Sequence, residues 1–261
     1  MRTILVILRK EWWELRVDRT LLLSMLLPPL LFPLLSIVAV FALGRIPDEE
    51  TAQLGAALAD PSLAGMSALE LGQAIIGKQF GLLFLLLPLI LPNVLASYSI
   101  VGEKTRRTLE PLLASPVRTW ELLAAKAIAA VLPAVILTWL AAAMFIVGVT
   151  FSAVSPRVVG AIISPAWLLV LLLCAPLLAL ISVAGSVAVS ARVNDPRTAQ
   201  QISAIVIVPF LMIFFGQLIG ILVLSPSIAL AAALVLAAVA ALAIWGAARI
   251  FRRETILTRW K

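Results

Sequence analysis

Long apolar runs alternate along the chain with short charged segments, and little of it shows the mixed spacing that a water-soluble core would need. Six runs are long enough and free enough of charge to cross a hydrocarbon layer about 30 Å thick at about 1.5 Å per helical residue. They are read as membrane-spanning helices over 20–43, 79–101, 127–151, 166–191, 198–224 and 227–248. The first run exceeds the core of a signal peptide and follows a charged segment, 1–19, so it is read as an uncleaved span. Prolines lie inside each of the first five runs (Pro28, Pro29 and Pro33, Pro88 and Pro92, Pro133, Pro176, Pro209). Each removes a backbone donor and permits a bend.

The segment before the first span has a helical period of its own. At about 100° per residue, Ile4, Leu5, Leu8, Trp12 and Leu15 share one face, while Arg2, Arg9 and Arg16 form a stripe on another side. Trp12 and Trp13 suit a headgroup region, and the basic stripe suits an anionic leaflet. Residues 1–19 are therefore expected to form an interfacial helix, either a plain anchor or a transmitter of force.

Composition agrees with this pattern. Hydrophobic residues make up 63% of the 261 and charged ones 13%, and the mean hydropathy is +1.14, so the bilayer is the solvent for most of the chain. The expected fold class is an all-α integral membrane protein of six transmembrane helices, with the interfacial helix in front. The sequence holds no histidine, which removes imidazole acid–base chemistry, and Cys174 has no second cysteine to pair with.

Orientation follows from the connecting segments, because lysine and arginine accumulate on the cytoplasmic side. With the N-terminus inside, 17 of the 20 basic residues fall in inside segments, and only Arg45, Lys78 and Arg157 fall outside. Both termini are expected in the cytoplasm, the tail over 249–261, in a multi-pass protein of the cell membrane. The external loop is expected over 44–78 and the longest internal loop over 102–126, within a single transmembrane domain of 20–261.

No span interior carries Asp, Glu, Lys or Arg, which argues against an ion-coupled carrier and against an embedded enzyme. Residues Gly72 to Lys78 have the glycine and lysine spacing of a phosphate-binding loop. However, Gln79 stands where a magnesium-binding Ser or Thr is needed, and no strand precedes it. Polar side chains at depth are chiefly Asn93, Ser97, Tyr98 and Gln217, which suit either a pathway or hydrogen bonds between helices. Ser182, Ser186 and Ser190 form one small-residue stripe and Gly216 with Gly220 another, both suited to close helix contact.

In the internal loop, Leu109, Leu112 and Leu113 lie on a short charged helical segment with no core of its own, and Ser115-Pro116 is suited to restart a helix. The leucines are expected to dip into the lipid surface or to dock into a partner's groove. The run Gly102-Glu103, then Thr-Leu-Glu-Pro-Leu-Leu-Ala-Ser-Pro-Val over 108–117 and Trp-Glu-Leu-Leu over 120–123, resembles the signature loop of type-2 ABC transporter permeases. These are the membrane subunits of ATP-driven exporters. Length, six spans and a Lys-Glu-rich leading helix at Lys10-Glu11 match that family as well.

The resemblance implies that Gly102 and Glu103 open a cytoplasmic coupling helix, and that Leu109, Leu112, Leu113 and Pro116, with Arg118 beside them, meet a separate ATPase. It also implies that two permease copies form the pathway, with Gly216 and Gly220 near the dimer axis. ATP and magnesium would then belong to the partner ATPase, and this chain, with no cofactor of its own, would be a non-catalytic transport subunit. Two other readings stay open: an ATP-independent channel or carrier, and a membrane scaffold that recruits a cytoplasmic partner. The nearly uncharged spans favour an amphipathic or hydrophobic cargo, with ions and polysaccharides left open.

Overall fold

The computed structural model describes residues 2–45, 63, 65–105, 119–190, 193, 195–218 and 225–250. The described residues are helical, without a strand. The helices are α1 (Arg2–Val17), α2 (Arg19–Leu43), α3 (Ala68–Leu83), α4 (Leu87–Thr105), α5 (Thr119–Ser152), α6 (Pro156–Ile162), α7 (Pro165–Leu169), α8 (Ala175–Ser190), α9 (Pro196–Ser203), α10 (Ile207–Leu218) and α11 (Pro226–Ile250). Among the described residues, six helical stretches are long and apolar enough to cross a membrane: Arg19–Leu43, Ala68–Glu103, Trp120–Ser152, Pro156–Ser190, Arg197–Gly216 and Pro226–Arg249. The chain is an all-α integral membrane protein.

The second span is the axis of the bundle. It buries 78% of its most apolar stretch, against 17% for the fifth and sixth spans. Helix α8 packs against α4, α11 and α5, and α5 also packs against α2 and α1. The outer spans present large apolar side chains such as Leu23, Met212 and Leu234. In water such a surface would drive association, whereas in a bilayer it matches the solvent.

The second span begins earlier than its hydropathy suggests. Ser67 caps α3 through the backbone N–H of Glu70, and the Glu70 carboxylate accepts from the N–H of Ser67, a reciprocal box that starts the helix at Ala68. The stretch Gly72 to Lys78 is thus helical, with its backbone N–H groups directed along the helix rather than into a phosphate cradle. At this end Gln73 is fully buried. Its amide donates to the carbonyls of Val40 (2.8 Å) and Ser152 (3.4 Å), and its Oε1 accepts from the N–H of Val154 (3.0 Å). One side chain so fastens the ends of the first and third spans to the second.

Three of the prolines coincide with changes of helical pitch. A 3₁₀ turn at Phe84–Leu86 precedes Pro88, a π turn at Val170–Cys174 precedes Pro176, and a 3₁₀ turn at Ala204–Val206 precedes Pro209. The physical reason is common to them: proline supplies no N–H to the carbonyl four residues back, so that carbonyl must bond elsewhere. Before Pro88, the Leu87 N–H takes the Phe84 carbonyl. In the π turn, the Trp139 indole donates to the Leu171 carbonyl at 3.4 Å across the helix interface.

Close approach between described helices depends on three glycines. A Cβ on Gly148 would fall 2.1 Å from Ile37 Cδ1, one on Gly77 would fall 2.2 Å from Ile162 Cδ1, and one on Gly81 would fall 2.9 Å from the indole nitrogen of Trp167. The Trp167 indole donates to the Gly81 carbonyl at 2.8 Å and packs with Phe84 and Phe145. Replacing Gly148 by leucine should therefore push α2 and α5 apart and destabilise the protein by about 1–3 kcal/mol. Gly246→Leu, where a Cβ meets nothing within 4 Å, should be tolerated. Thermal unfolding of both variants in detergent checks the contrast.

Candidate functional site

The end of the bundle opposite Gln73 holds a network of charges from three helices, with Glu11, Glu103 and Lys126 buried at its centre. Helix α1 brings Lys10, Glu11 and Glu14, α4 brings Ser99 and Glu103, and α5 brings Lys126. The Lys126 ammonium lies 2.8 Å from Glu11 Oε1, 2.6 Å from Ser99 Oγ and 2.9 Å from Glu103 Oε2. Ser99 in turn donates to the second oxygen of Glu11 at 2.7 Å. Lys10 bonds the remaining oxygen of Glu103 and lies 3.4 Å from Glu14 and 3.8 Å from Glu11. Side-chain exposure is 3% at Lys126, 9% at Glu11 and 8% at Glu103.

The arithmetic of charge explains why such burial is tolerated. Lys10 and Lys126 balance Glu11 and Glu103, and Lys126 hydrogen-bonds to Glu11 and Ser99 while lying at ion-pair distance from Glu103, so neither buried carboxylate lacks a counter-charge in a poorly solvating site. Glu103 stands in the last turn of α4, where the helix dipole disfavours a carboxylate, and the two lysines offset that. Burial alone would raise the Glu11 carboxyl. The charge of Lys126 and the hydrogen bonds from Lys126 and Ser99 outweigh it and hold Glu11 below its ordinary value of 4.5. Partial burial would lower Lys10, yet the hydrogen bond and charge of Glu103 raise it above its ordinary 10.5.

The orientation of α1 follows from this network. Its inward face is Ile4, Ile7, Leu8, Glu11 and Leu15, with Glu11 at the centre, whereas Leu5, Trp12 and Trp13 are exposed. The apolar face read from sequence is thus turned away from Trp12 and Leu5. The reason is electrostatic: Glu11 gains Lys126 and Ser99 only by facing the bundle. A cavity of about 830 Å³ lies between α1, α4 and α5, lined by Lys10, Glu14, Asp18, Tyr98, Glu103 and Lys126 among others. Lys126 belongs to this buried site and not to a solvent-facing loop, since α5 is already helical from Thr119.

The other residues singled out from sequence fall in separate places. Gly102 and Glu103 lie in the last turns of α4, with Glu103 in the network. Asn93 and Ser97 sit deeper in the same helix. The Asn93 amide donates to the Gln200 carbonyl at 3.2 Å, and its Oδ1 accepts from Ser97 (3.3 Å) and Ser186 (2.6 Å). Ser182 donates to the Leu89 carbonyl at 2.5 Å, so this layer joins α4, α8 and α9. Tyr98 lines the cavity beside the charges. Gly216 and Gln217 lie in α10. Leu109, Leu112, Leu113, Pro116, Arg118 and Gly220 lie outside the described residues. Sequence reading passed over Glu11, Ser99 and Lys126 as a unit. The available signal was a carboxylate centred in the apolar arc of an amphipathic helix, together with a lysine abutting an apolar run. Among the described residues, no grouping of His, Cys, Asp and Glu suits a metal ion.

A helical bundle of six apolar spans with one buried, charge-balanced junction at an end defines a multi-pass membrane protein. The sequence matches the ABC-2 family transporter protein family over residues 5–229, from α1 into the start of the sixth span, and the chain belongs to that family. It is a membrane permease component of an ABC transporter. No curated protein matches the chain.

The junction sets a pH window for the docking of α1. A carboxyl whose folded pKa is depressed stabilises the fold above its ordinary value, and that contribution is lost as pH falls through the folded value. For Glu11 the loss begins as pH drops below about 4.5. For Lys10, whose value is raised, the contribution is complete below 10.5 and is lost only in stronger base. Glu103→Gln should cost about 3–5 kcal/mol by leaving buried positive charge uncompensated, whereas Glu14→Gln, half exposed, should change stability by under about 1 kcal/mol. Thermal unfolding against pH for the three proteins checks both the window and the order.

Proposed function

We propose that this chain is the permease subunit of an ABC-type exporter, that two copies form the translocation pathway, and that separate cytoplasmic ATPase subunits drive it. The observation that carries this reading is the placement of the buried junction at both roots of the segment 106–118. Glu103 precedes that segment in α4 and Lys126 follows it in α5, and both are tied to Glu11 of α1 or to its neighbour Lys10. A force applied to the segment would act on three helices at once, because ion pairs buried among them resist separation more than exposed pairs do.

In this reading both termini and the segment 106–118 face the cytoplasm of a cell whose plasma membrane the protein spans. Basic residues cluster at that side, as the distribution of charge favours. Leu109, Leu112 and Leu113 enter a groove on the ATPase, with Pro116 and Arg118 at its edge. ATP and magnesium are held by the ATPase, and the permease itself performs no chemistry. Gly216 and Gly220 of the fifth span approach the second permease copy, and the apolar outer faces of the first, fifth and sixth spans are available to lipid and to that copy. The cargo is amphipathic or hydrophobic, in keeping with spans that keep their charges paired at one end.

Changing Leu109 and Leu112 together to serine tests the assignment. Burial of one leucine at a partner contributes about 1.5–3 kcal/mol. The double variant should therefore insert and dimerise normally, retain little ATPase on copurification and lose substrate-stimulated hydrolysis. Wild-type copurification and coupling in the double variant would place the ATPase contact elsewhere.

A further inference from the structure

We propose that the groove between α1, α2 and α5 binds one anionic phospholipid, with an acyl chain in the groove and the phosphate at Arg16 and Arg9. The groove encloses about 330 Å³ and is lined by Trp12 and Arg16 of α1, Met25 and Leu26 of α2, and Pro133 and Ile136 of α5, with other leucines between. Apart from Arg16 its walls are apolar, and Trp12, Leu26 and Ile136 are each exposed on the outer surface of the bundle. A groove of this kind beside an interfacial helix accepts hydrocarbon from the surrounding bilayer without leaving a void.

The charge around its mouth selects the headgroup. Arg9, Trp12 and Arg16 follow one another at helical spacing on α1, and Arg19 opens α2 next to them. Among the described residues none of these three arginines takes part in an ion pair. The nearby carboxylates are committed elsewhere: Glu11 to Lys126, Glu14 to Lys10, and Asp18 to the backbone N–H groups of Thr20 and Leu21. Arg16 in the wall of an apolar groove, with Arg9 two turns away on the same helix and Arg19 just beyond its end, none paired with a carboxylate among the described residues, is complementary to a lipid phosphate. Arginine binds such an oxyanion through paired N–H groups. The indole of Trp12 adds an amphipathic ring at headgroup depth. The site depends on the membrane fold alone and stands apart from the exporter reading.

The test uses the full chain in detergent with equal amounts of phosphatidylglycerol and phosphatidylcholine, and native mass spectrometry to count the lipids retained. The wild type should retain one phosphatidylglycerol in preference. Arg9→Gln with Arg16→Gln should reduce that preference by roughly fivefold for each arginine. Arg197→Gln with Arg249→Gln removes the same charge from α9 and α11, helices that contribute no residue to the groove, and should leave the preference intact. Ile136→Trp, which fills the groove, should lower the retention of both lipids. Equal retention of the two lipids by the wild type would overturn the proposal, as would an equal effect of the two arginine pairs. Unchanged retention in Ile136→Trp would do so too, and is the outcome expected if a second copy of the chain covered the groove.

Discussion

An ammonium group with 3% exposure, as at Lys126, must find all its acceptors within the protein, because neither water nor lipid supplies them. Meeting that demand fixes three helices. Glu11 has to face inward, which sets the rotation of α1. Ser99 and Glu103 have to stand one turn apart on α4, which sets the register of α4 against α5. The apolar contacts of α1 with the bundle are non-directional, whereas the ion pairs specify one arrangement. This is the circumstance in which buried charge contributes more to uniqueness of structure than to net stability.

The two ends of the bundle solve the same problem with different chemistry. Near Gln73 a neutral amide links three spans through backbone groups, with Glu70 and Ser155 closing a second contact at 2.5 Å. Near Lys126 the links are ionic. The Gln73 amide itself carries no titrating group, whereas the ion pairs around Lys126 can be loosened by pH or by an approaching charge. Between them the bundle carries proline-associated 3₁₀ and π turns in the second, fourth and fifth spans, where the helical ladder is already interrupted. Proline-interrupted spans thus run between an end joined largely through the Gln73 amide and an end joined by charges.

Much of this fold is legible in the sequence because crossing a bilayer demands uninterrupted apolar length, and run length survives without any knowledge of packing. The spans therefore emerge from hydropathy close to where the structure has them. The starts of the second, third and fourth spans do not, since they lie at Ala68, Trp120 and Pro156 rather than at 79, 127 and 166; residues 68–78 are mixed in polarity, although the Ser67 and Glu70 pair was a readable cap. Lys126 reads as an orientation charge because hydropathy assigns any cation beside a span to the water phase, and only its partners on α1 and α4 reveal that it is buried. Asn93 is likewise ambiguous in sequence, whereas its bonds to Ser97, Ser186 and the Gln200 carbonyl show how it joins helices. Contacts between residues about ninety positions apart, such as Lys10 with Glu103, leave no trace in local periodicity.

Glu11 and Lys126 act as one unit that fastens α1 to the spans. A double-mutant cycle measures this directly: Glu11→Gln, Lys126→Met and the double variant are each unfolded thermally in the same detergent at neutral pH. Each single variant should lose several kcal/mol and the double variant far less than the sum, with a coupling energy of about 1–3 kcal/mol. Strictly additive losses would show that the two groups do not depend on each other, and would contradict the account.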